Sequence, residues 1–299
     1  MKVAVTGATG FVGEALVAQL LARGDQVVIF TRQPEAAQQR FPQTQVVAYT
    51  PLSAGRWQEA VAGCDAVVNL AGEPIADRWT PEKRQAILDS RQQGTQRLVE
   101  AIAQAQPRPA VLINASAIGY YGASETARFT ETSPPGTDFL SQVCQAWEAA
   151  AQPVTASGCR LVIFRIGIVL AMGGALAKIL PPFWGFLGGP IGSGRQWFSW
   201  IHRDDLVALI LAALDNPAWS GVYNATAPQP VRMAEFCRIL GEVIGRPSWL
   251  PVPAFVLELL LGDGAQVVLT GQQVIPERTL AMGFSYRYGD VRAALQAFL

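Results

Sequence analysis

The opening segment, residues 3–13 with the sequence VAVTGATGFVG, constrains this chain more than any other feature. An apolar run leads into three glycines, Gly7, Gly10 and Gly13, each separated from the next by two residues, and apolar residues then recur at helical spacing. This order predicts a strand, a tight turn and a helix. Such a turn brings backbone amides close to a pyrophosphate, and the N-terminus of the helix attracts the same anion. We therefore predict a dinucleotide-binding turn, against the alternative of an ordinary glycine-rich turn.

The end of the predicted second strand, residues 26–30, indicates which dinucleotide this is. An acidic residue about 20 positions after the glycines commonly binds the ribose 2′-hydroxyl of NAD. Thr31 and Arg32 occupy that place here. A guanidinium suits a 2′-phosphate, because its planar fork aims several donors at one anion. The sequence favours NADP(H), and the alternative is that Arg32 is a solvated loop residue.

Composition narrows the class of protein. The formal net charge is zero over 299 residues, so no basic surplus favours a nucleic-acid or membrane-surface partner. The four cysteines form no CxxC pair and there is one histidine, which predicts no disulfide framework, no metal site and a reducing, cytoplasmic location. The chain opens directly into a strand, so no signal peptide is expected. Residues 161–180 and 254–261 are apolar but interrupted or short, which predicts buried elements rather than membrane spans.

Strand and helix patterns alternate through the first half of the chain. Apolar runs predict strands at 26–30, 45–49, 65–70, 111–115 and 160–165, and the intervening patterns predict helices at 34–40, 55–62, 81–106 and 138–156. This alternation predicts an α/β fold with a Rossmann-type, doubly wound parallel sheet. We predict an NADP(H)-binding domain over 1–166 and a smaller, substrate-facing C-terminal lobe over 167–299. Residues 196–226 are expected to return to the first domain.

Several motifs together resemble the extended short-chain dehydrogenase/reductase superfamily over nearly the whole chain. They are the turn Thr6-Gly7-Ala8-Thr9-Gly10-Phe11-Val12-Gly13, Asn69-Leu70-Ala71-Gly72, Ser116 with Tyr121-Gly122, Arg165, residues 200–206 and residues 221–224. Within it, the chain resembles the NAD-dependent epimerase/dehydratase-like "epimerase family protein" branch. That likeness rests on Gly72-Glu73-Pro74-Ile75, Ser90-Arg91, Gly119-Tyr120-Tyr121-Gly122, Trp147-Glu148, residues 269–272 and residues 276–278.

The resemblance implies a set of cofactor-binding residues. They are Thr6, Gly7, Thr9, Gly10, Phe11, Val12, Gly13, Thr31, Arg32, Asn69, Leu70, Ala71, Gly72, Glu73 and Arg91.

The resemblance fails at the usual catalytic pair. The superfamily uses a tyrosine whose pKa is lowered by a lysine four residues later, with a serine steadying the substrate oxygen. Counted back from Glu148, those two places hold Leu140 and Cys144, which cannot do this chemistry. The asparagine usually found four residues before Thr95 is replaced by Arg91. Only Ser116 remains of the four usual residue types.

Two accounts stay open. In the first, other groups carry the chemistry: Ser116 stays in place, Tyr121, with Tyr120 as the alternative, is the proton donor, and Arg91 clamps a phosphate or the substrate. Arg91 or Lys178 supplies the positive charge that lowers the pKa of the phenol. The protein would then be an NADP(H)-dependent oxidoreductase or epimerase acting on an unknown carbonyl or sugar-nucleotide-like small molecule. In the second, NADP(H) binds without turnover, and the protein is a regulatory or interaction protein. Members of the branch have also been described as related to cell-division inhibitors.

The second half offers further candidates. Trp184, Trp197, Phe198 and Trp200 either line a small-molecule pocket or form the core of the lobe. His202 is expected to satisfy backbone groups at a helix start rather than act as an acid or base. The apolar helix predicted over 253–261 covers the core or meets a partner, so a homodimer or a protein partner stays open.

Overall fold

A computed structural model describes residues 1–299, and its largest element is a seven-stranded parallel sheet. The strands are β1 (Lys2–Thr6), β2 (Gln26–Thr31), β3 (Gln45–Ala48), β4 (Ala66–Asn69), β5 (Val111–Ala117), β6 (Arg128–Phe129), β7 (Arg160–Ile166), β8 (Ile168–Leu170), β9 (Trp197–Phe198), β10 (Trp200–His202), β11 (Gly221–Ala225), β12 (Val231–Arg232) and β13 (Gln273–Val274).

The helices cover both faces of this sheet and build the lobe. They are α1 (Gly13–Ala22), α2 (Pro34–Arg40), α3 (Pro81–Gln104), α4 (Phe139–Ala151), α5 (Leu176–Trp184), α6 (Arg203–Asp215), α7 (Met233–Ile244), α8 (Ala254–Leu261), α9 (Gln266–Leu269), α10 (Glu277–Ala281) and α11 (Val291–Gln296). Short 3₁₀ turns lie at Arg56–Val61, Ile118–Tyr121, Gln152–Ser157 and Gly262–Ala265.

The strand order in the sheet is β11-β7-β5-β4-β1-β2-β3. From β1 the chain builds outward to β2 and β3, and then returns to build β4 and β5 on the other side. Ligands of such sheets bind at the carboxyl ends of the strands where this direction reverses, which here is between β1 and β4. The predicted doubly wound, Rossmann-type fold is confirmed.

Both faces of the sheet are buried, which explains the near-continuous apolar strands. Val3 and Val5 of β1 belong to a core cluster that includes residues of α1 and α6, whereas Ala4 belongs to a second cluster with residues of α3. Successive side chains of a strand point to opposite faces, so one short strand supplies both layers.

Most predicted helix boundaries in the first half are close to the observed ones, although the helix predicted over 55–62 is a 3₁₀ turn at Arg56–Val61. Helix α2 covers residues 34–40 as predicted, and α3 ends at Gln104. The helix predicted over 138–156 ends earlier, because α4 stops at Ala151 and a 3₁₀ turn follows. Pro153 lies in that turn, and proline has no N–H group with which to continue an α-helix.

The chain after Gly167 builds a separate core and also completes the sheet. Phe198 and Phe236 stack with ring centroids 4.2 Å apart, inside a third core cluster that includes Trp200. Strand β11 instead pairs with β7, with Gly221 opposite Val162, and so forms an edge of the central sheet. Within the segment expected to return to the first domain, β11 lies in the central sheet, whereas β9 and β10 lie in small two-stranded sheets.

Helix α8 differs from its prediction as a buried element, because none of its residues is buried. Phe255, Leu259 and Leu260 are 67%, 74% and 63% exposed. The helix packs on the 3₁₀ turn after it and contributes no residue to a core cluster. No helix in the structure has both the length and the apolar character needed to cross a bilayer.

Candidate functional site

The turn between β1 and α1 has a shape that only glycine permits at two positions. Gly7 has a φ of 68°, and a Cβ atom there would lie 2.8 Å from the backbone of Leu70. A Cβ atom on Gly13 would lie 2.1 Å from the carbonyl oxygen of Gly7. The first and last glycines of the motif are therefore required for the turn to approach both the next strand and its own helix.

This turn leaves backbone donors open to a ligand. The amides of Phe11 and Val12 donate no hydrogen bond within the protein, and α1 begins one residue later, at Gly13. Unpaired amides at a helix N-terminus suit an anion such as a pyrophosphate. The residues present therefore fit a dinucleotide.

A buried polar cluster holds the turn against the neighbouring strands. The Thr6 hydroxyl donates to Asn69 Oδ1 over 2.6 Å, and Asn69 Nδ2 donates to Asn114 Oδ1 and Thr95 Oγ1 over 2.7 and 3.0 Å. The Ala71 amide donates to Thr6 Oγ1 over 3.3 Å. Thr6 and Asn69, both predicted as cofactor residues, therefore lie under the turn and orient it.

A cleft of about 270 Å³ opens at the carboxyl ends of β1, β2 and β4. Its walls combine predicted cofactor residues with others that the sequence did not single out: Gly7, Thr9, Gly10, Phe30, Thr31, Arg32, Tyr49, Pro51, Leu70, Ala71, Gly72, Glu73, Pro74 and Ser90. Arg32 is exposed at this cleft and forms no ion pair within the chain. We call this space the first cleft.

The side chain of Phe11 connects the turn to the second half of the chain. A Cβ atom on Gly174 would lie 2.8 Å from the Phe11 ring, so the loop before α5 lies directly against it. The Arg203 guanidinium lies over the same ring, 5.2 Å from its centroid. Phe11 thus contacts the lobe, and neither it nor Val12 and Gly13 lines the first cleft.

A second cleft of about 260 Å³ lies beyond the first. Its walls are mostly apolar and come from both halves of the chain: Ile75, Arg91, Ala117, Ile118, Gly119, Leu140, Val143, Cys144, Ile166, Gly167, Ile168, Trp197, Gln266, Val267, Thr270, Gly271 and Gln272. Several motifs of the epimerase branch therefore meet at one place, although they are far apart in the sequence.

Leu140 and Cys144, which occupy the places of the usual tyrosine and lysine, both line the second cleft. A Cβ atom on Gly119 would lie 3.4 Å from Leu140 Cβ and 3.8 Å from Cys144 Sγ, so this glycine leaves the space in front of them. Burial, together with the charge of Glu148, raises the pKa of the Cys144 thiol to about 12. The thiol is therefore neutral at physiological pH and supplies neither a cation nor a thiolate.

Arg91 lies where the two clefts meet. Its Nη1 atom donates to the carbonyl oxygens of Glu73 and Ile87 over 3.0 and 3.2 Å. A Cβ atom on Gly72, which lines the first cleft, would lie 2.9 Å from Arg91 Cζ. Burial lowers the pKa of the guanidinium, but arginine stays charged at any physiological pH.

The predicted active-site serine belongs to a buried network rather than to a cleft wall. The Ser116 hydroxyl donates to Glu148 Oε1 over 2.7 Å, and Glu148 is in turn paired with Arg165. Ser116 is 2% exposed and lines neither cleft. Its neighbour Ala117, whose side chain points to the other face of the strand, lines the second cleft instead.

Tyr121 continues the same network. Its hydroxyl donates to Asn224 Oδ1 over 2.7 Å and accepts a hydrogen bond from Arg165 Nη1 over 3.0 Å. Burial raises the pKa of Tyr121 to about 12, although the charge of Arg165 opposes this shift. The structure does not bring Tyr121 onto either cleft with Arg91.

Lys178, the fourth predicted catalytic residue, also lies away from both clefts. Its exposed ammonium donates to the carbonyl oxygen of Ala76 over 3.0 Å. The structure therefore brings only Arg91, of the four predicted catalytic residues, onto a cleft wall.

The four aromatic residues singled out in the second half have three different environments. Phe198 and Trp200 are buried in the core of the lobe, Trp184 is 51% exposed, and only Trp197 lines the second cleft. His202 caps α6, because its Nδ1 atom accepts the Asp204 amide over 3.1 Å. This agrees with the prediction that His202 satisfies backbone groups.

Asp205 lies in the first turn of α6 but does not cap that helix. Its carboxylate accepts the amides of Arg287 and Tyr288, both over 2.9 Å, and so anchors the C-terminal segment.

The sheet order, the glycine turn and the paired clefts are those of an extended short-chain dehydrogenase/reductase. The model of the NAD dependent epimerase/dehydratase family matches residues 3–225, and a model described as a domain of unknown function, DUF1731, matches residues 252–298. The chain belongs to the NAD dependent epimerase/dehydratase family.

Relatives and a solved structure match almost the whole chain. The chloroplastic SDR39U1 homologue of Arabidopsis thaliana, an epimerase family protein, is 49% identical over 302 residues, which cover 100% of this chain and 87% of that protein. The epimerase family protein YfhF of Bacillus subtilis is 38% identical, with 100% of this chain and 98% of that protein covered. The crystal structure of human SDR39U1 (isoform 2) with NADPH has a TM-score of 0.89 at 39% identity and covers 100% of this chain and 99% of that one.

Proposed function

We propose that this chain is an NADP(H)-dependent oxidoreductase or epimerase-like enzyme that acts on a small molecule bound in the second cleft. The proposal rests on one observation, which is that a residue lining the first cleft contacts a residue lining the second. Gly72 lines the first cleft, Arg91 lines the second, and the missing Cβ of Gly72 is what lets the guanidinium lie between them. A ligand of the first cleft that extends past Gly72 therefore meets a ligand of the second.

The residues of the first cleft support NADP(H) as the cofactor. Beside this cleft, the amides of Phe11 and Val12 donate to no group of the protein and suit an anion at the start of α1, and the exposed Arg32 stands where a 2′-phosphate lies in this fold. The human relative crystallised with NADPH supports the same cofactor. A nicotinamide dinucleotide supplies a hydride donor or acceptor, and this chain binds it, orients it and excludes water from the apolar second cleft.

A catalytically silent NADP(H)-binding regulator is the second candidate, and one observation favours it. Leu140 and Cys144 stand on the wall of the second cleft in place of the proton donor and the cation. Tyr121 stays a proposed proton donor, although its hydroxyl is shared between Arg165 and Asn224. Unchanged turnover in the Tyr121→Phe variant removes it from that role.

Two measurements on the purified protein test the proposed function. Titration with NADPH and NADH, followed by nicotinamide fluorescence, is expected to show tighter binding of NADPH. Absorbance of NADPH is then followed with a panel of carbonyl compounds and sugar nucleotides, and its consumption supports an enzyme. Tight NADPH binding with no consumption across the panel supports the silent regulator, and binding of neither nucleotide contradicts both candidates.

A further inference from the structure

The second cleft offers few polar groups to a ligand. Ten of its 17 lining residues are hydrophobic. Sugars carry several hydroxyl groups, and each must find a partner when it leaves water. A mostly apolar wall therefore favours an apolar ligand.

The polar side chains on this wall are largely occupied by the protein itself. Gln272 Nε2 donates to the carbonyl oxygen of Ile118 over 2.7 Å, and the Trp197 indole donates to the carbonyl oxygen of Glu125 over 3.0 Å. The Thr270 hydroxyl donates to the carbonyl oxygen of Gln266 over 2.8 Å. These donors already form hydrogen bonds within the protein, so they are not free to bind a ligand.

Two polar side chains of this wall differ: the Gln266 amide forms no hydrogen bond, and Arg91, the one charged group, keeps free donors. Its two hydrogen bonds both come from Nη1, whereas Nε and Nη2 donate none, and neither atom is fully buried. The guanidinium lies over the Trp147 ring, 5.0 Å from its centroid, and against Gly72, so its plane is held in place. A fixed guanidinium edge with two free donors matches the two oxygens of a carboxylate.

We propose that the second cleft takes an apolar small molecule that carries one carboxylate, seated on the Nε and Nη2 edge of Arg91. This inference rests on the proposed function, because it names the substrate class of the same cleft. The carboxylate anchors the molecule beside Gly72, and its apolar part packs on the wall that includes Ile118, Leu140 and Val143. Leu140 then contributes apolar contact to the ligand.

Two rival occupants of the Arg91 edge follow from the same geometry. One is a phosphate of the cofactor, although Arg91 lines the second cleft and not the first. The other is the sugar of a nucleotide sugar, for which the wall supplies too few free donors. Each rival predicts a different binding result.

The test is calorimetric titration of NADPH-saturated protein with three probes. They are hydrocinnamate, its neutral amide hydrocinnamamide, and UDP-glucuronate. We expect hydrocinnamate to bind about 10- to 100-fold more tightly than the amide, because a charge-assisted pair replaces a neutral hydrogen bond. Equal affinities of acid and amide, including binding of neither, overturn the proposal, as does tighter binding of UDP-glucuronate.

Variants of helix α3 test whether Arg91 causes the preference for hydrocinnamate over its amide. Arg91→Gln is expected to remove the preference for the acid, and Arg91→Lys to retain part of it, because lysine keeps the charge but not the fork. Arg97→Gln removes an exposed arginine of the same helix and is the matched control. Loss of acid preference with an unchanged NADPH affinity supports the proposal.

If Arg91→Gln loses NADPH affinity but retains the preference for the acid, the proposal is overturned, and Arg91 binds a phosphate of the cofactor instead. Failure of the wild-type protein to bind NADPH is a failure of the proposed function instead, so the two are distinguishable.

Discussion

The Arg165 guanidinium forms a two-point ion pair with the Glu148 carboxylate, with Nε–Oε1 and Nη2–Oε2 distances that are both 2.8 Å. Both side chains are buried. The hydrogen bonds and charge of Glu148 outweigh the cost of burial and raise the pKa of Arg165. Because Ser116 and Tyr121 bond to the same pair, one ion pair joins β5, β7 and α4 beneath the second cleft.

The first prediction concerns the stability that this pair provides. Glu148→Gln leaves the Arg165 charge buried without its counter-ion, so the free energy of unfolding should fall by about 3–5 kcal/mol. Urea unfolding monitored by circular dichroism measures it. The control is Glu242→Gln, which breaks exposed pairs with Arg238 and Arg292 and should cost far less, because solvent screens both pairs. Equal losses in the two variants would contradict a special role for the buried pair.

The second prediction concerns the last glycine of the turn. Gly13→Ala places a methyl group 2.1 Å from the Gly7 carbonyl oxygen, so the turn must shift away from its anion-binding shape. We expect NADPH affinity to fall at least about tenfold, as the helix N-terminus loses its alignment with the phosphates.

The matched control for that variant is Gly55→Ala. Its new methyl group meets its nearest neighbour, Trp57 Cδ1, at an ordinary 3.5 Å. Fluorescence titration compares the two variants, and circular dichroism establishes that both are folded. An unchanged NADPH affinity in Gly13→Ala would show that the cofactor does not depend on this turn.

The third prediction concerns the choice between the two nicotinamide dinucleotides. Arg32→Gln removes an exposed cation at the first cleft that has no partner within the chain. NADPH affinity should fall about 10- to 100-fold while NADH affinity stays unchanged, because only NADPH carries the 2′-phosphate. Parallel titrations with both nucleotides measure the ratio. A similar loss of affinity for NADPH and NADH would show that Arg32 binds a part that the two nucleotides share.

The fourth prediction concerns acid stability. Burial lowers the pKa of His202, although Asp204 and Asp205 oppose the shift, and its Nδ1 atom must be unprotonated to accept the Asp204 amide. Below the ordinary histidine pKa of about 6.5 the unfolded chain therefore binds a proton that the folded chain does not. Stability should be complete above that pH and fall as pH decreases, by up to about 1.4 kcal/mol per pH unit.

His202 is the only histidine, which makes this prediction simple to check. Asparagine is a good helix cap that does not titrate, so His202→Asn should remove the dependence between pH 7 and about pH 5.5. Urea unfolding across that range compares the two proteins. If the free energy of unfolding of the variant depends on pH as strongly as that of the wild type, carboxylates cause this dependence and His202 does not.

The fold was predictable because its signals are local. The glycine turn, the apolar strands and the bounds of α2 depend on neighbouring residues, and the structure confirms them. Side-chain direction depends on the strand to which a residue belongs. Trp197 and Phe198 are adjacent, yet one lines the second cleft and the other is buried in the lobe, because alternate residues of a strand face opposite sides.

The site was less predictable because its contacts join distant residues. Nothing near Ser116 in the sequence shows that its hydroxyl bonds to Glu148, 32 positions later. Tyr121 bonds to Asn224, which is 103 positions away. Arg91 differs, since its replacement of a family asparagine was visible in the sequence, and it is the predicted catalytic residue that lies on a cleft wall.

The edge position of β11 limits how this chain can be divided. A fragment that ends after β7 would leave that strand without the partner that pairs Gly221 to Val162 and Ala225 to Ile166. An unpaired, apolar strand at the rim of a sheet is a template for aggregation. Expression of residues 1–166 alone should therefore give insoluble protein. A fragment extended past Ala225 retains every strand of the central sheet.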